Sequence, residues 1–237
     1  MLTSGQTGSI WHESPRLRDR IVRNVCKSLR NAYGRPRLGN PIDPMDDLVF
    51  IVLSNKTSPR IARRTYADLR ARFCSWDALL HAPISEVRRI LKPAGLSSIK
   101  SRQLRAALRS IKSHMGSCDL RPLRRKSAGE IEAFLVRLPG VSEKVAKCVS
   151  LYTMNVKVLP VDVHVHRVSR RLGWTTRKRA DQCHEELESL VPPALRYAFH
   201  VDCVLHGRRI CRPHEPLCTK CCIRCWCEYF KGNRRNA

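Results

Sequence analysis

The sequence predicts an all-α protein, and three observations lead to that fold class. Apolar residues recur at spacings of three and four along most of the chain, which is the periodicity of an amphipathic helix. Many of these stretches begin at Ser, Thr or Asp and end near Gly or Pro, as helices do. No run of alternating apolar and polar residues is long enough to build a sheet. The 237 residues suffice for one large domain or two smaller ones.

The predicted helices follow one another from residue 16 to residue 206. Residues 1–14 are polar and aperiodic, so we expect a flexible leader there. The first helix carries Ile21, Val22, Val25, Cys26 and Leu29 on one face, and a stretch rich in Gly and Pro follows over residues 34–44. Ten further helices are predicted at residues 46–53, 58–73, 75–81, 85–91, 98–114, 128–138, 143–154, 163–172, 180–190 and 194–206.

Two of these helices are predicted to form a helix–hairpin–helix. The turn between them, residues 138–142, reads Leu-Pro-Gly-Val-Ser and is short enough to force two apolar stripes together. The stripes are Ile131, Phe134, Leu135 and Leu138 in one helix and Val145, Val149 and Tyr152 in the next. Because the first-turn amides of a helix are unpaired and its dipole is positive there, the turn is a candidate anion site. A plain connector between two helices is the alternative.

The chain carries a large positive charge, with 45 Lys and Arg against 20 Asp and Glu, a net charge of +25. This charge matches a phosphate backbone, so nucleic acid is the expected partner, with a membrane surface or a merely basic soluble protein as alternatives. Basic residues cluster at Arg121, Arg124, Arg125 and Lys126, at Arg170 and Arg171, and at Arg177, Lys178 and Arg179.

No stretch approaches the roughly 18 apolar residues of a membrane span, and no signal-peptide core is present. We therefore expect an intracellular, soluble protein without a membrane partner. It would occupy the cytoplasm or nucleoid of a prokaryote, or the nucleus of a eukaryote.

Half of the twelve cysteines lie between residues 211 and 227, where disulfides would be cramped and metal ligation is natural. This distribution predicts a reducing compartment rather than a secreted disulfide scaffold. The candidate ligands are Cys211, Cys218, Cys221 and Cys227, which are separated by six, two and five residues. Their spacing fits zinc and a [4Fe–4S] cluster about equally well, and Cys222 with Cys225 is a further possible metal knuckle.

Lys144 and Asp162, which are 18 residues apart, are the candidate catalytic pair. A lysine amine attacks as a nucleophile only when it is unprotonated, which requires burial or neighbouring positive charge. We therefore expect Lys144 to be buried, although an ordinary surface lysine is the simpler interpretation of that residue alone. Asp162 precedes an apolar helical run, where an N-cap aspartate is expected on structural grounds, and a capping carboxylate can still face a substrate.

These motifs resemble those of the helix–hairpin–helix DNA glycosylases, specifically the endonuclease III branch. That branch combines a Leu-Pro-Gly-Val-Gly-x-Lys hairpin, a Val-Asp-x-His segment and four cysteines with the spacing found here. This chain has Leu-Pro-Gly-Val-Ser-Glu-Lys at residues 138–144 and Val-Asp-Val-His at residues 161–164. The resemblance covers about residues 40–228. Segments 144–149, 160–162 and 171–174 also resemble the plant 5-methylcytosine DNA glycosylases.

The resemblance implies a fold of two helical domains with the active site in the cleft between them. Residues 41–156 would form a six-helix barrel that contains the hairpin, near residues 138–144. Residues 15–40 and 157–237 would form the iron–sulfur domain. The implied cofactor is a [4Fe–4S] cluster held by Cys211, Cys218, Cys221 and Cys227, with zinc as the alternative.

By the same resemblance, the protein is a bifunctional DNA glycosylase and AP lyase. Lys144 would attack C1′ of the deoxyribose, expel the base and form a Schiff base that undergoes β-elimination, while Asp162 stabilises the developing positive charge. The expected partner is double-stranded DNA with an oxidised pyrimidine or an abasic site, bound by a monomer. The alternatives are a 5-methylcytosine or mismatched-thymine or uracil glycosylase and, from another class, a non-catalytic DNA-binding module with a structural metal site.

The resemblance also suggests which residues contact DNA. Leu96 would act as a wedge, and Asn55 would be a plug where most members of the family have glutamine. His164 would lie near the lesion, with a surface histidine as the alternative. The other implied contacts are Leu138, Gly140 and Ser142 in the hairpin and Arg208, Arg209 and Arg212 near the cysteines. Ser142 replaces a family glycine, and Glu143 adds a negative charge beside the expected phosphate.

Overall fold

Helices alone form the regular structure in the described part of the chain. The structure is a computed structural model that describes residues 10–235. Within that range the chain forms twelve α-helices, short 3-10 turns and no β-strand, which confirms the all-α prediction. The helices are α1 (Pro15–Tyr33), α2 (Pro44–Ser54), α3 (Pro59–Arg72), α4 (Trp76–His81), α5 (Ile84–Leu91), α6 (Ser97–Met115), α7 (Ala128–Val136), α8 (Glu143–Thr153), α9 (Val163–Arg171), α10 (His184–Leu190), α11 (Arg196–Arg209) and α12 (Glu228–Arg235).

These helices fall into two compact units. The middle unit comprises Gly39–Val156 and contains α2 to α8. The terminal unit combines the chain up to Leu38 with the chain from Lys157 onward, and it contains α1 and α9 to α12. The middle unit is thus inserted in sequence within the terminal unit, which depends on two segments that are distant along the chain.

The middle unit is organised around α2, in which residues 47–53 are all buried. The helix begins where the side chain of Asp43 accepts hydrogen bonds from the amides of Met45 and Asp46, and Pro44 occupies the first helical position. It packs against α3, α6 and α8. Because a helix that is apolar on every face must be enclosed by others, α2 forms the centre of the unit.

In the same unit, α7 and α8 form the predicted helix–hairpin–helix. Ser127 and Glu130 make a capping box that fixes the start of α7, and Ser142 caps α8. The two helices pack against each other. Their predicted apolar stripes contribute the buried residues Ile131, Leu135, Leu138, Val145 and Val149 to the core.

The terminal unit is built around α11, which packs against α1 and α9. Trp174 and Phe199 stack in its core with ring centroids 5.4 Å apart. From α1, the fully buried Val22, Val25 and Leu29 enter the same core, which is the face that their spacing predicts.

The predicted leader of residues 1–14 requires a correction over its last part, while residues 1–9 lie outside the described residues. Ile10–His12 forms a 3-10 turn in which Ile10 is buried in the terminal core. Trp11 donates its Nε1–H to the carbonyl oxygen of Trp174 at 2.9 Å. Residues 10–12 therefore belong to the terminal unit. Two apolar residues alone produce no periodicity, so the pattern gave no sign of this anchor.

The structure departs from the prediction at two other places. The helix predicted at 180–190 is a 3-10 turn at Ala180–Gln182 followed by α10, which starts only at His184. The helix α12 after the last cysteine was not predicted.

Among the described helices, none has both the length and the apolar character required to cross a membrane.

Candidate functional site

The hairpin turn before α8 depends on a glycine. The amide of Val141 donates to the carbonyl of Leu138 at 3.0 Å, which closes the turn. Gly140 has a φ of +78°, and a Cβ there would lie 2.7 Å from Cβ of Gln103 in α6. Both the backbone conformation and the close approach therefore exclude a side chain at this position. Leu138, a predicted DNA contact, is only 3% exposed, so its side chain packs inside the unit and only its backbone could approach a phosphate.

The first turn of α8 is capped, and the charge of Glu143 is partnered. Ser142 accepts a hydrogen bond from the amide of Val145 at 3.4 Å. The two amides before it, those of Glu143 and Lys144, lie in the first turn and have no intrahelical partner. Glu143 lies 3.9 Å from the ammonium of Lys147, which also pairs with Glu132 at 3.2 Å. Since Lys147 offsets the charge of Glu143, the expected repulsion of a phosphate is reduced.

Lys144 lies in the first turn of α8 and is half-buried rather than buried. Sequence reasoning missed an acidic neighbour in the same unit, Asp47 of α2. That side chain is fully buried, its Oδ1 accepts from Nδ2 of Asn40 at 2.6 Å, and its Oδ2 has no hydrogen-bond partner among the described residues. Burial raises the pKa of Asp47 to about 7, whereas the hydrogen bond from Asn40 and the charge of Lys144 oppose that rise.

Asn55 and Leu96 lie in two loops of the middle unit. Asn55 is exposed and caps the end of α2. Leu96 is 51% exposed and adopts a φ of +49°, the left-handed region that leucine rarely occupies. An exposed leucine in a strained backbone is a candidate for function rather than for core packing.

In the terminal unit, Asp162 caps α9 as predicted. Its Oδ1 accepts hydrogen bonds from the amides of His164 at 2.9 Å and Val165 at 2.8 Å. These two bonds fix the carboxylate at the start of the helix, where the dipole favours its negative charge.

His164 is half-buried where α9 meets α11. A Cβ on Gly207 would lie 2.7 Å from its Nδ1, so the two helices approach closely only because residue 207 is glycine. Burial lowers the pKa of His164; the charge of Asp162 raises it, and the charges of Arg167 and Arg208 lower it further. Asp162, His164 and Arg208 are therefore close enough to interact within this unit.

The three predicted arginine contacts, Arg208, Arg209 and Arg212, are all exposed. Burial raises the pKa of Tyr33, and the positive charge of Arg209 opposes that rise. Arg212 begins the loop between the first two candidate metal ligands, and Arg171 holds that loop by donating to the carbonyls of Arg212 at 2.8 Å and Pro213 at 3.0 Å.

The four predicted cysteine ligands lie in one region of the terminal unit. Burial raises the pKa of Cys221 to about 12, and the nearby Cys211 and Cys227 add to the rise. Cys211 and Cys218 raise the pKa of Cys227 in turn, after burial. All four are free thiols, and Arg171 donates to Sγ of Cys211 at 3.2 Å. Within residues 10–235, no group of three or more His, Cys, Asp or Glu side chains is arranged as a ready site for a metal ion.

Comparison with protein families bears directly on these motifs. The model of the HhH-GPD superfamily base excision DNA repair proteins matches residues 49–193. The chain belongs to this superfamily. It is an endonuclease III-like DNA glycosylase, and the resemblance inferred from the hairpin and the cysteines is confirmed.

Individual relatives of this glycosylase agree with the family match. Endonuclease III of Thermotoga maritima is 29% identical over 205 residues, 85% of this chain and 92% of that protein. DEMETER-like protein 2 of Arabidopsis thaliana is 25% identical over 180 residues, 68% of this chain but only 14% of that protein. A solved structure of a trapped covalent intermediate between endonuclease III and DNA has a TM-score of 0.79 at 21% identity, covering 92% of this chain and 99% of that chain. At that identity, the structural likeness shows the fold.

Two functional candidates in the glycosylase escaped the sequence analysis although a signal was present. Asp47 is a charged residue in α2, directly before six consecutive apolar residues that are all buried. Lys100 occupies a position in the buried stripe of α6, whose other large members are Leu104, Leu108 and Ile111. In both cases an ionisable side chain interrupts a buried face, which calls for a partner or a function.

Proposed function

We propose that this glycosylase is bifunctional and that it excises oxidised pyrimidines from double-stranded DNA and cleaves abasic sites as an AP lyase. The observation that carries the proposal is the location of Lys144, half-buried in the first turn of α8, directly after the turn that requires Gly140. An anion at the unpaired amides of this turn would be a DNA phosphate, and it would bring the neighbouring deoxyribose to the amine.

The proposed reaction uses the amine of Lys144 as the nucleophile. Its lone pair forms a bond to C1′, and the bond from C1′ to the base breaks with the electron pair leaving on the base. The nitrogen loses a proton, and the bond from C1′ to O4′ breaks with its electron pair leaving on O4′, which takes up a proton. The sugar ring is then open and C1′ is joined to the lysine as a Schiff base. A proton then leaves C2′, the bond from C3′ to the phosphate oxygen breaks, and the strand is cut. Hydrolysis of the imine returns the free amine.

Asp162 is proposed to stabilise the positive charge that develops on the sugar and to assist deprotonation of the attacking amine. The two amide hydrogen bonds to its Oδ1 support this role, because they hold the group in one orientation before the substrate arrives. His164, whose pKa is shifted by the charges of Asp162 and Arg208, is proposed to contact the strand near the lesion.

The remaining contacts separate into two groups. Leu96 and Asn55 are proposed to fill the space that the flipped nucleotide leaves, since opening the duplex costs a few kcal/mol that a wedge offsets. Gly140, Ser142, Arg208, Arg209 and Arg212 are proposed to contact phosphates. The partner is double-stranded DNA, and the enzyme acts as a monomer.

A [4Fe–4S] cluster on Cys211, Cys218, Cys221 and Cys227 is the proposed cofactor, with zinc as the alternative. The donor set fits in type and number, because four free thiols in one region suit thiolate ligation and positively charged iron would keep buried thiols ionised. Binding would draw the four side chains together from an arrangement that is not yet a ready metal site. When bound, the cluster would clip the C-terminal loops together and take no part in the reaction at the sugar.

Metal analysis of the purified protein tests this cofactor. We expect about four iron atoms and four sulfides per chain. Cys218→Ser should lose the iron and the visible absorption, whereas Cys74→Ser, at an exposed free cysteine of the middle unit, should retain both. One zinc atom in place of iron would contradict the cluster.

Borohydride trapping tests the class of function. Reduction of a Schiff base makes it permanent, so the wild-type protein should form a covalent adduct with a duplex that contains an abasic site. A protein that binds the same duplex but is never trapped would be a DNA-binding module or a glycosylase without lyase activity.

A panel of duplexes with thymine glycol, uracil, mismatched thymine or 5-methylcytosine tests the substrate. We expect release of thymine glycol. Processing of 5-methylcytosine alone, or of mismatched bases alone, would overturn the substrate assignment.

The resemblance of segments 144–149, 160–162 and 171–174 to the plant 5-methylcytosine DNA glycosylases supports 5-methylcytosine as a second candidate substrate. Part of that similarity, however, lies in segment 171–174, where Leu172 and Trp174 are buried and Gly173 has a φ of +78°. Those residues serve core packing and a turn, so their similarity carries little information about the base that is excised.

A further inference from the structure

Lys100 of α6 is a buried lysine that connects three segments of the middle unit. It is 4% exposed, and its Nζ donates to the carbonyl of Leu53 at 2.8 Å, to Oγ1 of Thr57 at 2.7 Å and to the carbonyl of Ala94 at 2.9 Å. An ammonium has three N–H groups, so these three bonds use all of them.

The three acceptors lie within or directly next to the two loops that contain the exposed residues Asn55 and Leu96. We define the plug loop as residues 54–58, which contain Asn55, and the wedge loop as residues 92–96, which contain Leu96. Leu53 ends the buried part of α2 just before the plug loop, Thr57 lies within that loop, and Ala94 lies within the wedge loop. Thr57 also donates its own hydroxyl to the carbonyl of Ala94 at 2.7 Å, which joins the two loops directly.

The backbone of both loops is strained at the residues that matter. Lys56, next to Asn55, has a φ of +54°, and Leu96 has a φ of +49°. Such conformations cost of order 1–3 kcal/mol each and persist only where the surroundings enforce them. The bonds from Lys100 to Thr57 and Ala94 are within two residues of both strained positions, so they supply that enforcement.

A purely structural role explains Lys100 less well. All three acceptors are neutral oxygens, and burial lowers the pKa of Lys100. Burying an ammonium against neutral acceptors stabilises a fold less than an apolar residue of the same size would. What the ammonium provides, and an apolar side chain does not, is a fixed three-point geometry between the loops.

We propose that Lys100 is a positioning residue that holds the plug loop and the wedge loop at a fixed separation, so that Asn55 and Leu96 enter the DNA duplex together. This inference rests on the proposed function, because it concerns the step in which the damaged nucleotide leaves the stack. Lys100 contacts neither the sugar nor the base. It acts through the two loops.

The test compares duplex with single-stranded DNA, because a single strand has no stack to open and no opposite base to replace. In single-turnover cleavage of abasic sites, Lys100→Met should lower the duplex rate about 10- to 100-fold, as expected for small displacements of positioning groups. Its rate on the single strand should stay within about threefold of wild type. Lys112→Met, on the same helix and paired at the surface with Asp77, should change neither rate.

Two outcomes of this comparison would overturn the proposal. Equal losses on duplex and single strand by a folded Lys100→Met variant would indicate general structural support, and equal retention of both rates would indicate no role. Should Lys100→Met fail to fold, Thr57→Val replaces it, because it removes the hydroxyl bridge and preserves the shape; the same selective loss on duplex is expected.

A binding readout keeps the inference separate from the proposed function. With 2-aminopurine opposite an abasic site, wild type should raise the fluorescence by unstacking the opposite base, and Lys100→Met should not. This signal needs no chemistry. A wild type that cleaves no DNA but gives the signal would refute the lyase and leave the positioning role intact, whereas an equal signal from both proteins would refute the positioning role.

Discussion

Lys144→Gln is expected to abolish the covalent adduct with abasic DNA and to slow strand cleavage by at least about 10³-fold, because it removes the amine of the proposed nucleophile. The nearest lysine on the same helix, Lys147, is 6% exposed and paired with Glu132 at 3.2 Å, so it is buried and engaged. Duplex binding should weaken only by the loss of one positive charge, which separates chemistry from affinity.

The measurement for Lys144 is borohydride trapping together with single-turnover cleavage at matched occupancy of the DNA. Lys27→Gln is the control, since it makes the same change at an exposed lysine of α1 and should leave both readouts unchanged. Trapping of Lys144→Gln at the wild-type level would assign the nucleophile to another amine and remove the basis of the proposed mechanism.

Asp47→Asn is expected to stabilise the protein at neutral and alkaline pH. The ordinary pKa of an aspartate is 3.8, and burial raises that of Asp47 to about 7 in the folded protein against the opposing effects of Asn40 and Lys144. As the pH rises from about 4 to about 7, the unfolded chain loses this proton before the folded chain does. Ionisation therefore favours unfolding, and the cost reaches its full value above pH 7.

Each pKa unit is equivalent to about 1.4 kcal/mol, so the full cost at Asp47 is about 4 kcal/mol. An asparagine of the same shape carries no charge and can still accept the hydrogen bond from Asn40. Urea unfolding should show a gain that is near zero at pH 4, grows through pH 6 and is largest at pH 8. Asp68→Asn, at an exposed position on α3, should show no such trend. A gain independent of pH at residue 47 would show that ionisation is not its cause.

The fold class could be predicted from the sequence because helical periodicity is a local property. The stripe of α1 and the two stripes of the hairpin needed only a few consecutive turns to be recognised. Helix ends were less certain, since they depend on caps. The helix predicted from residue 46 starts at Pro44, because Asp43 caps it and a proline fits its first position.

The candidate site was predictable only where a motif carried it. Lys144, Asp162 and the four cysteines stand in recognisable spacings, whereas Asp47 and Lys100 do not. The acceptors of Lys100 lie up to 47 residues away in sequence, and periodicity identifies a buried face without its partners. Glu143 shows the same limit: its predicted repulsion of phosphate changes once the neighbouring Lys147 is known.

The inserted arrangement of the two units has a consequence for biosynthesis. Because α1 packs against α11, the nascent chain emerges from the ribosome with a helix whose partner is about 160 residues from being translated. Throughout that interval Val22, Val25 and Leu29 remain without their core, whereas Gly39–Val156 is complete before α11 is translated. We expect ribosome-bound intermediates to contain a folded middle unit and an α1 whose apolar face is still exposed. Exposed apolar surface is what chaperones bind, so we expect them to bind α1 at this stage.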